Sequence, residues 1–280
     1  MSESIAPNLK TKVIQGTSVP TLGFGTWQLT GNECQRCVET ALETGYRHLD
    51  TARMYENEAE VGQGIAAAGL PREDLFVTSK MWMDDLSPAA VEQSVADSLD
   101  ALKLDYMDLY LIHWPNPEYD LAVTLEALAK EKERGRIKHI GLSNHTAAMM
   151  KEALQVTPIF CNQVEYHLYL SQNTLLELCR KNDILLTAWS PLAKGRMFDE
   201  PAVQAIAEKY GKSTGQVALR WLIEQDHVAT FPRSSNANRI AENFDIWDFA
   251  LDDIDCAAIE NLPKDGRVGN PDWVSWEWDD

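Results

Sequence analysis

Eight short apolar runs recur along the chain, each separated from the next by a stretch with helical spacing, and this alternation most restricts the fold. The runs cover residues 22–24, 48–50, 76–79, 107–112, 139–143, 161–165, 185–189 and 229–232. Val91, Val95, Leu99 and Leu102 repeat at helical spacing after Ser87-Pro88, an N-cap followed by proline in the first turn. Val203, Ile206, Ala207 and Tyr210 repeat in the same way. Gly45, Gly69, Gly135 and Gly211 follow such patterns, where a helix end wants a left-handed residue. No Ser/Gly-rich linker interrupts the alternation, so the pattern predicts one α/β domain over residues 1–280, a (β/α)₈ TIM barrel. Residues 10–20 read as a β-hairpin ahead of the first barrel strand. Two extra helices, at 238–244 and 251–262, and an irregular C-terminal tail follow the last.

At 280 residues and 45% hydrophobic, the chain can bury a full core. Its 43 acidic against 25 basic residues give a formal charge of −18, which argues against nucleic acid or an anionic membrane as partner. The N-terminus lacks the basic start and apolar core of a secretion signal, and no apolar run approaches the roughly 20 residues of a membrane span. The expectation is a soluble cytoplasmic protein. Five scattered cysteines suit reduced thiols better than a disulfide framework. Cys34 and Cys37 form a C-x-x-C pair, so thiol redox chemistry is a competing reading. That pair falls inside a helical stretch opening with the capping-box pattern Thr30-Gly31-Asn32-Glu33, not at a strand-to-helix turn. No second pair completes a zinc site, and the six histidines lack ligand spacing, so no metal is expected.

Active sites of such barrels lie where the βα loops converge, at the C-terminal ends of the strands. Asp50, Lys80 and His113 end the second, third and fourth predicted strands, and Tyr55 lies in the loop after the second. A tyrosine among a lysine, a carboxylate and an imidazole can have its pKa drawn below about 10, making it a proton donor near neutral pH.

Gly23-Phe24-Gly25-Thr26-Trp27, the segment from Gly45 to Ala52 with Tyr55, Ser79-Lys80 with Trp82, and Leu111-Ile112-His113-Trp114 resemble successive signatures of the aldo-keto reductases. Gly141-Leu142-Ser143-Asn144, Asn162-Gln163, Trp189-Ser190-Pro191-Leu192 and the block from Phe231 to Asn243 continue the resemblance in order. With a short loop after Trp114, the chain looks most like bacterial members related to 2,5-diketo-D-gluconate reductases and methylglyoxal-type aldehyde reductases. The resemblance implies NADPH-dependent reduction of an aldehyde or ketone to an alcohol by a monomer. Tyr55 is then the general acid, Lys80 and Asp50 the ion pair that tunes it, and His113 the group that orients the carbonyl.

No Gly-x-Gly-x-x-Gly follows Gly23-Phe24-Gly25, so a Rossmann-type cradle is absent. Barrels commonly hold phosphate at the loops after strands seven and eight, which here carry Ser190, Leu192, Lys194 and Arg196, then Arg233, Ser234, Ser235 and Arg239. By family correspondence Arg233, Ser234 and Arg239 meet the 2′-phosphate, and Glu242 and Asn243 the adenine. Relatives often carry lysine where this chain has Arg233, and arginine keeps the charge while adding a planar fork. Trp189 is the expected stacking face for nicotinamide, with Ser143, Asn144 and Gln163 on its carboxamide. Trp27, Trp82 and Trp114 each follow a barrel strand and are the expected substrate-binding walls. Arg267, Trp273 and Trp276 are the tail's candidate contacts. A cofactor-binding regulatory or structural protein with little turnover is the alternative on the same scaffold.

Overall fold

The computed structural model describes residues 9–84 and 86–279. Residues 1–8, on which the reading of no secretion signal largely rests, lie outside the described residues, as do positions 85 and 280. β1 (Thr11–Ile14) and β2 (Thr17–Pro20) form the expected antiparallel hairpin. They turn through Gln15 and Gly16, both at positive φ, as a two-residue type I′ turn requires.

Eight parallel strands follow in chain order: β3 (Phe24–Gly25), β4 (His48–Asp50), β5 (Phe76–Met81), β6 (Met107–Ile112), β7 (Ile137–Ser143), β8 (Cys161–Glu165), β9 (Leu185–Trp189) and β10 (Val228–Thr230). A parallel bridge between Leu22 and Thr230 closes the ring, with Gly23 N donating to Thr230 O at 2.7 Å. The fold is therefore a (β/α)₈ barrel. Its helices are α1 (Gly31–Thr44), α2 (Glu58–Ala68), α3 (Pro88–Leu102), α4 (Leu121–Glu133), α5 (Ala147–Ala153), α6 (Asn173–Lys181), α7 (Pro201–Tyr210), α8 (Thr214–Glu224), α9 (Ala237–Phe244) and α10 (Asp253–Glu260).

Helix-facing residues behave as their spacing predicts. Ser87 accepts from Ala90 N at the start of α3, and Val91, Val95 and Leu102 are buried against the outer face of the sheet. All four predicted helix-ending glycines adopt positive φ. Inside the barrel, Phe76, Leu109, Leu111, Phe160 and Leu185 pack with Ile14 and Val19 of the hairpin, which plugs the N-terminal end. Fully burying each such side chain contributes about 1.5–3 kcal/mol. Lys12 fastens the plug, donating from Nζ to Ile223 O at 2.8 Å and Val228 O at 2.7 Å.

Several local expectations shift. Thr30 precedes α1 but makes no side-chain cap, so the capping box is not formed. The seventh βα unit contains two helices: α7, which the Val203 to Tyr210 spacing predicts, and α8, whose Ser213–Gln216 capping box is complete. β5 runs on to Met81, placing Lys80 one residue inside the strand end. β10 ends at Thr230, because Pro232 has no N–H to donate to a ladder. Among the described residues no helix is long and apolar enough to cross a membrane, and no group of three or more metal-ligating side chains is assembled.

Candidate active site

Barrel closure brings the ends of β4, β5 and β6 to one rim. Lys80 is wholly buried there and Asp50 is 1% exposed, so their charges need partners. An ammonium group has three protons, and each is committed: Nζ donates to Asp50 Oδ1 at 2.6 Å, to Thr51 O at 2.8 Å and to Tyr55 Oη at 3.2 Å. Asp50 Oδ2 accepts from Gln163 Nε2 at 2.7 Å. Lysine can only donate to the tyrosine oxygen, so the Tyr55 O–H remains available to another acceptor, and the ring borders the cavity.

Tyr55 lies in a 3₁₀ turn, Arg53–Tyr55, followed by Glu56 in the left-handed region. Asn57 secures this turn from behind. Its Nδ2 donates to Thr26 O at 2.8 Å and Leu29 O at 2.9 Å, while its Oδ1 accepts from Thr51 Oγ1 at 2.8 Å. Sequence reasoning missed Asn57; the available signal was an asparagine two residues after the candidate acid, at the start of α2.

The electrostatics correct one expectation. Burial raises the Tyr55 pKa above its ordinary value, against the pull of Lys80 and with Asp50 adding to the rise. The phenol is held protonated, not poised to ionise near neutrality. For Lys80, burial pulls down, but Asp50 and Tyr55 together outweigh it and hold the group charged. His113 is driven well below the usual histidine range by burial and then by Lys80, so it is neutral. Its ring stands edge-on to Tyr55, at 5.7 Å, and to Trp82, at 5.3 Å, and its buried Nδ1 has no partner among the described residues.

A cavity of about 530 Å³ opens over this cluster. Trp82 and Trp114 line it, as does Trp27, which is 48% exposed. Trp273 from the tail also lines it, edge-on to Trp114 at 4.8 Å. Arg267 and Trp276 do not border the cavity; Arg267 instead lies over the Trp278 ring at 4.2 Å.

Ser143, Asn144, Gln163 and Trp189 line the same cavity and are joined by hydrogen bonds. Trp189 Nε1 donates to Asn144 Oδ1 at 2.9 Å, Asn144 Nδ2 donates to His113 O at 2.9 Å, and Ser143 Oγ donates to Gln163 O at 2.9 Å. Ser190, Leu192, Lys194 and Arg233 also line the cavity. Arg233 is tied to the neighbouring loop after β3, with Nε donating to Trp27 O at 3.0 Å and Nη2 to Gln28 O at 3.4 Å. Ser234, Ser235 and Arg239 sit around the N-terminus of α9, which Asn236 caps, while Glu242 and Asn243 lie further along that helix. None of these five borders the cavity itself. Sequence reasoning missed Phe231, Val268 and Gly269, which do.

Cys34 and Cys37 are buried on α1. Burial pushes the Cys34 thiol up to about 12 and raises Cys37 as well, the opposite of what a reactive pair needs.

Comparison with known proteins shows the family and agrees with the barrel fold. The family model described as the aldo/keto reductase family matches residues 21–264. A glyoxal reductase of Bacillus subtilis (strain 168) is 43% identical over 267 residues, 93% of this chain and 95% of its own length. A solved structure assigned provisionally as a 2,5-diketo-D-gluconic acid reductase B is 40% identical, with a TM-score of 0.94 over 97% of this chain and 98% of that one. A Bombyx mori aldo-keto reductase solved in complex with NADP is 34% identical, with a TM-score of 0.88 over 95% of this chain and 96% of that one.

Proposed function

The chain belongs to the aldo/keto reductase family, and we propose that it reduces an aldehyde or ketone to an alcohol with NADPH, Tyr55 giving the proton to the carbonyl oxygen. The observation that carries this reading is the commitment of all three Lys80 protons, which leaves the Tyr55 O–H free beside the cavity.

The residues present fit a phosphorylated dinucleotide. The cavity is lined by Asp50, Tyr55 and His113, by Trp189, and by Lys194 and Arg233, two cations in a chain at −18. Ser143, Asn144 and Gln163 are the polar groups beside the indole and would hold the carboxamide. Ser190, Leu192 and Lys194 would follow the pyrophosphate, and Arg233, Ser234, Ser235 and Arg239 the 2′-phosphate, with Glu242 and Asn243 at the adenine. When bound, NADPH supplies the hydride. The preference for NADPH over NADH rests on the arginines at 233 and 239.

Within this chain, neutral His113 offers a ring N–H that orients the carbonyl, and Tyr55 donates as negative charge grows on oxygen. The Lys80 ammonium, already directed at Oη, stabilises the phenolate left behind, and Asp50, held by Gln163, keeps that ammonium in place. Trp82, Trp114 and Trp27 surround the substrate with apolar surface and favour carbonyls bearing a hydrophobic or aromatic group. We read the protein as a single-domain cytoplasmic monomer. The deciding experiment follows NADPH absorbance across aldehydes, ketones and dicarbonyls, with Y55F in parallel. Oxidation with none of them would leave the cofactor-binding structural reading in its place.

A further inference from the structure

Glu165 ends β8, a position where barrels place catalytic groups, yet it is 0% exposed on its side chain and does not border the cavity. Its oxygens face the C-terminal tail. Oε1 accepts from Val268 N at 2.6 Å and from His167 Nε2 at 2.9 Å; Oε2 accepts from Gly269 N at 2.9 Å, with Arg267 Nη1 at 3.9 Å. The Nδ1 of His167 accepts from Tyr169 N at 3.2 Å, so Nε2 carries the proton it gives to Glu165.

Residues 261–279 contain no strand or helix, so no ladder positions this segment. Ties from the rim do so instead: Gly266 N donates to Tyr169 O at 2.9 Å and Lys194 Nζ donates to Val268 O at 3.1 Å. A buried carboxylate accepting two backbone N–H groups is the strongest of these, since bonds to a charged acceptor are about twice as strong as neutral ones. Just beyond the latch, Gly269 lies so close to Trp189 that a Cβ there would overlap the indole edge. Further on, Pro271 and Trp273 complete the cavity wall.

We propose that Glu165 is a positioning residue that fixes the 267–273 strap against Trp189 and across the substrate mouth, so that cofactor and carbonyl binding depend on one buried carboxylate that touches neither. The proposal rests on the reading of Trp189 as the nicotinamide face. Two variants break the latch from opposite sides: E165Q turns one acceptor into a donor facing backbone N–H groups, and V268P removes a donor without altering the barrel.

The test is hydrogen exchange of strap amides in the full chain without cofactor, joined to KM and kcat for NADPH and for one small and one bulky aromatic aldehyde. Both variants are expected to speed exchange over 266–273 by about 10-fold or more, the equivalent of losing one charge-assisted hydrogen bond. KM for NADPH and for the bulky aldehyde should rise by more than kcat falls. Unchanged strap exchange, or faster exchange with every KM unchanged, overturns the proposal. Should E165Q not fold, V268P decides alone. A wild-type protein inactive on every carbonyl would refute the assigned activity, while strap exchange would still report whether the latch exists.

Discussion

The Nζ of Lys80 lies 3.2 Å from the Oη of Tyr55, while its other two protons are held by Asp50 Oδ1 and Thr51 O. Tyr55→Phe removes the transferable proton and leaves the rest of the rim intact. Carbonyl reduction should fall about 10²–10⁴-fold, with NADPH affinity near wild type in a fluorescence titration. Lys80→Met strands the Asp50 carboxylate in the barrel, so it should also lower unfolding stability by about 3–5 kcal/mol, read from urea midpoints.

The pH profile of reduction follows from the directions of the shifts. Tyr55 must be protonated, and burial raises its pKa, so the alkaline limb is displaced above about pH 10. Neutral His113 adds no limb near its ordinary value, because burial and Lys80 keep it from protonating there. A kcat/KM profile for a non-ionising aldehyde should therefore be flat between about pH 6.5 and 9. An acidic limb near 6.5 would contradict a neutral His113.

Stability should decline with acid for a related reason. Burial lowers His145 to about 4, against the free value of 6.5. The unfolded chain thus takes up a proton as pH falls through 6.5 while the folded one does not until near 4. That difference removes about 3 kcal/mol of stability by the time both states are protonated. Urea midpoints at pH 7.5 and 4.5 should separate, and His145→Gln should narrow the gap.

Cofactor preference should reside in the arginines. Arg233→Ala is expected to raise KM for NADPH about 10–100-fold, the worth of a charge-assisted phosphate contact, and to alter KM for NADH much less. Because Arg233 also bonds Trp27 O, Arg239→Ala is the companion variant. Equal effects on the two cofactors in both variants would remove the 2′-phosphate assignment.

The tail tryptophan should act on selectivity. Trp273 stands edge-on to Trp114 at 4.8 Å and to Trp82 at 6.4 Å. Trp273→Ala opens that wall, so kcat/KM for an aromatic aldehyde should drop about 10-fold relative to a small aliphatic one, in line with the loss of an aromatic contact and its buried area.

Cys34→Ser with Cys37→Ser should leave carbonyl turnover at the wild-type level, since burial keeps both thiols protonated on α1. Loss of activity with Tyr55 intact would revive the redox reading.

The order of the strands and the rim positions of Asp50, Lys80 and His113 were legible in the linear chain, because alternation and strand ends are local properties. In a parallel barrel, consecutive strand ends are necessarily neighbours. Local patterns also located the cationic loops that follow the seventh and eighth barrel strands, and the strand-end tryptophans. They could not show Gln163 bonded to Asp50 across 113 positions, or Glu165 receiving the amides of Val268 and Gly269 more than 100 residues away. Nor could they give the sign of the Tyr55 shift. That sign is a contest between the charge of Lys80 and the cost of burial, and only the tertiary structure sets the depth at which Tyr55 lies.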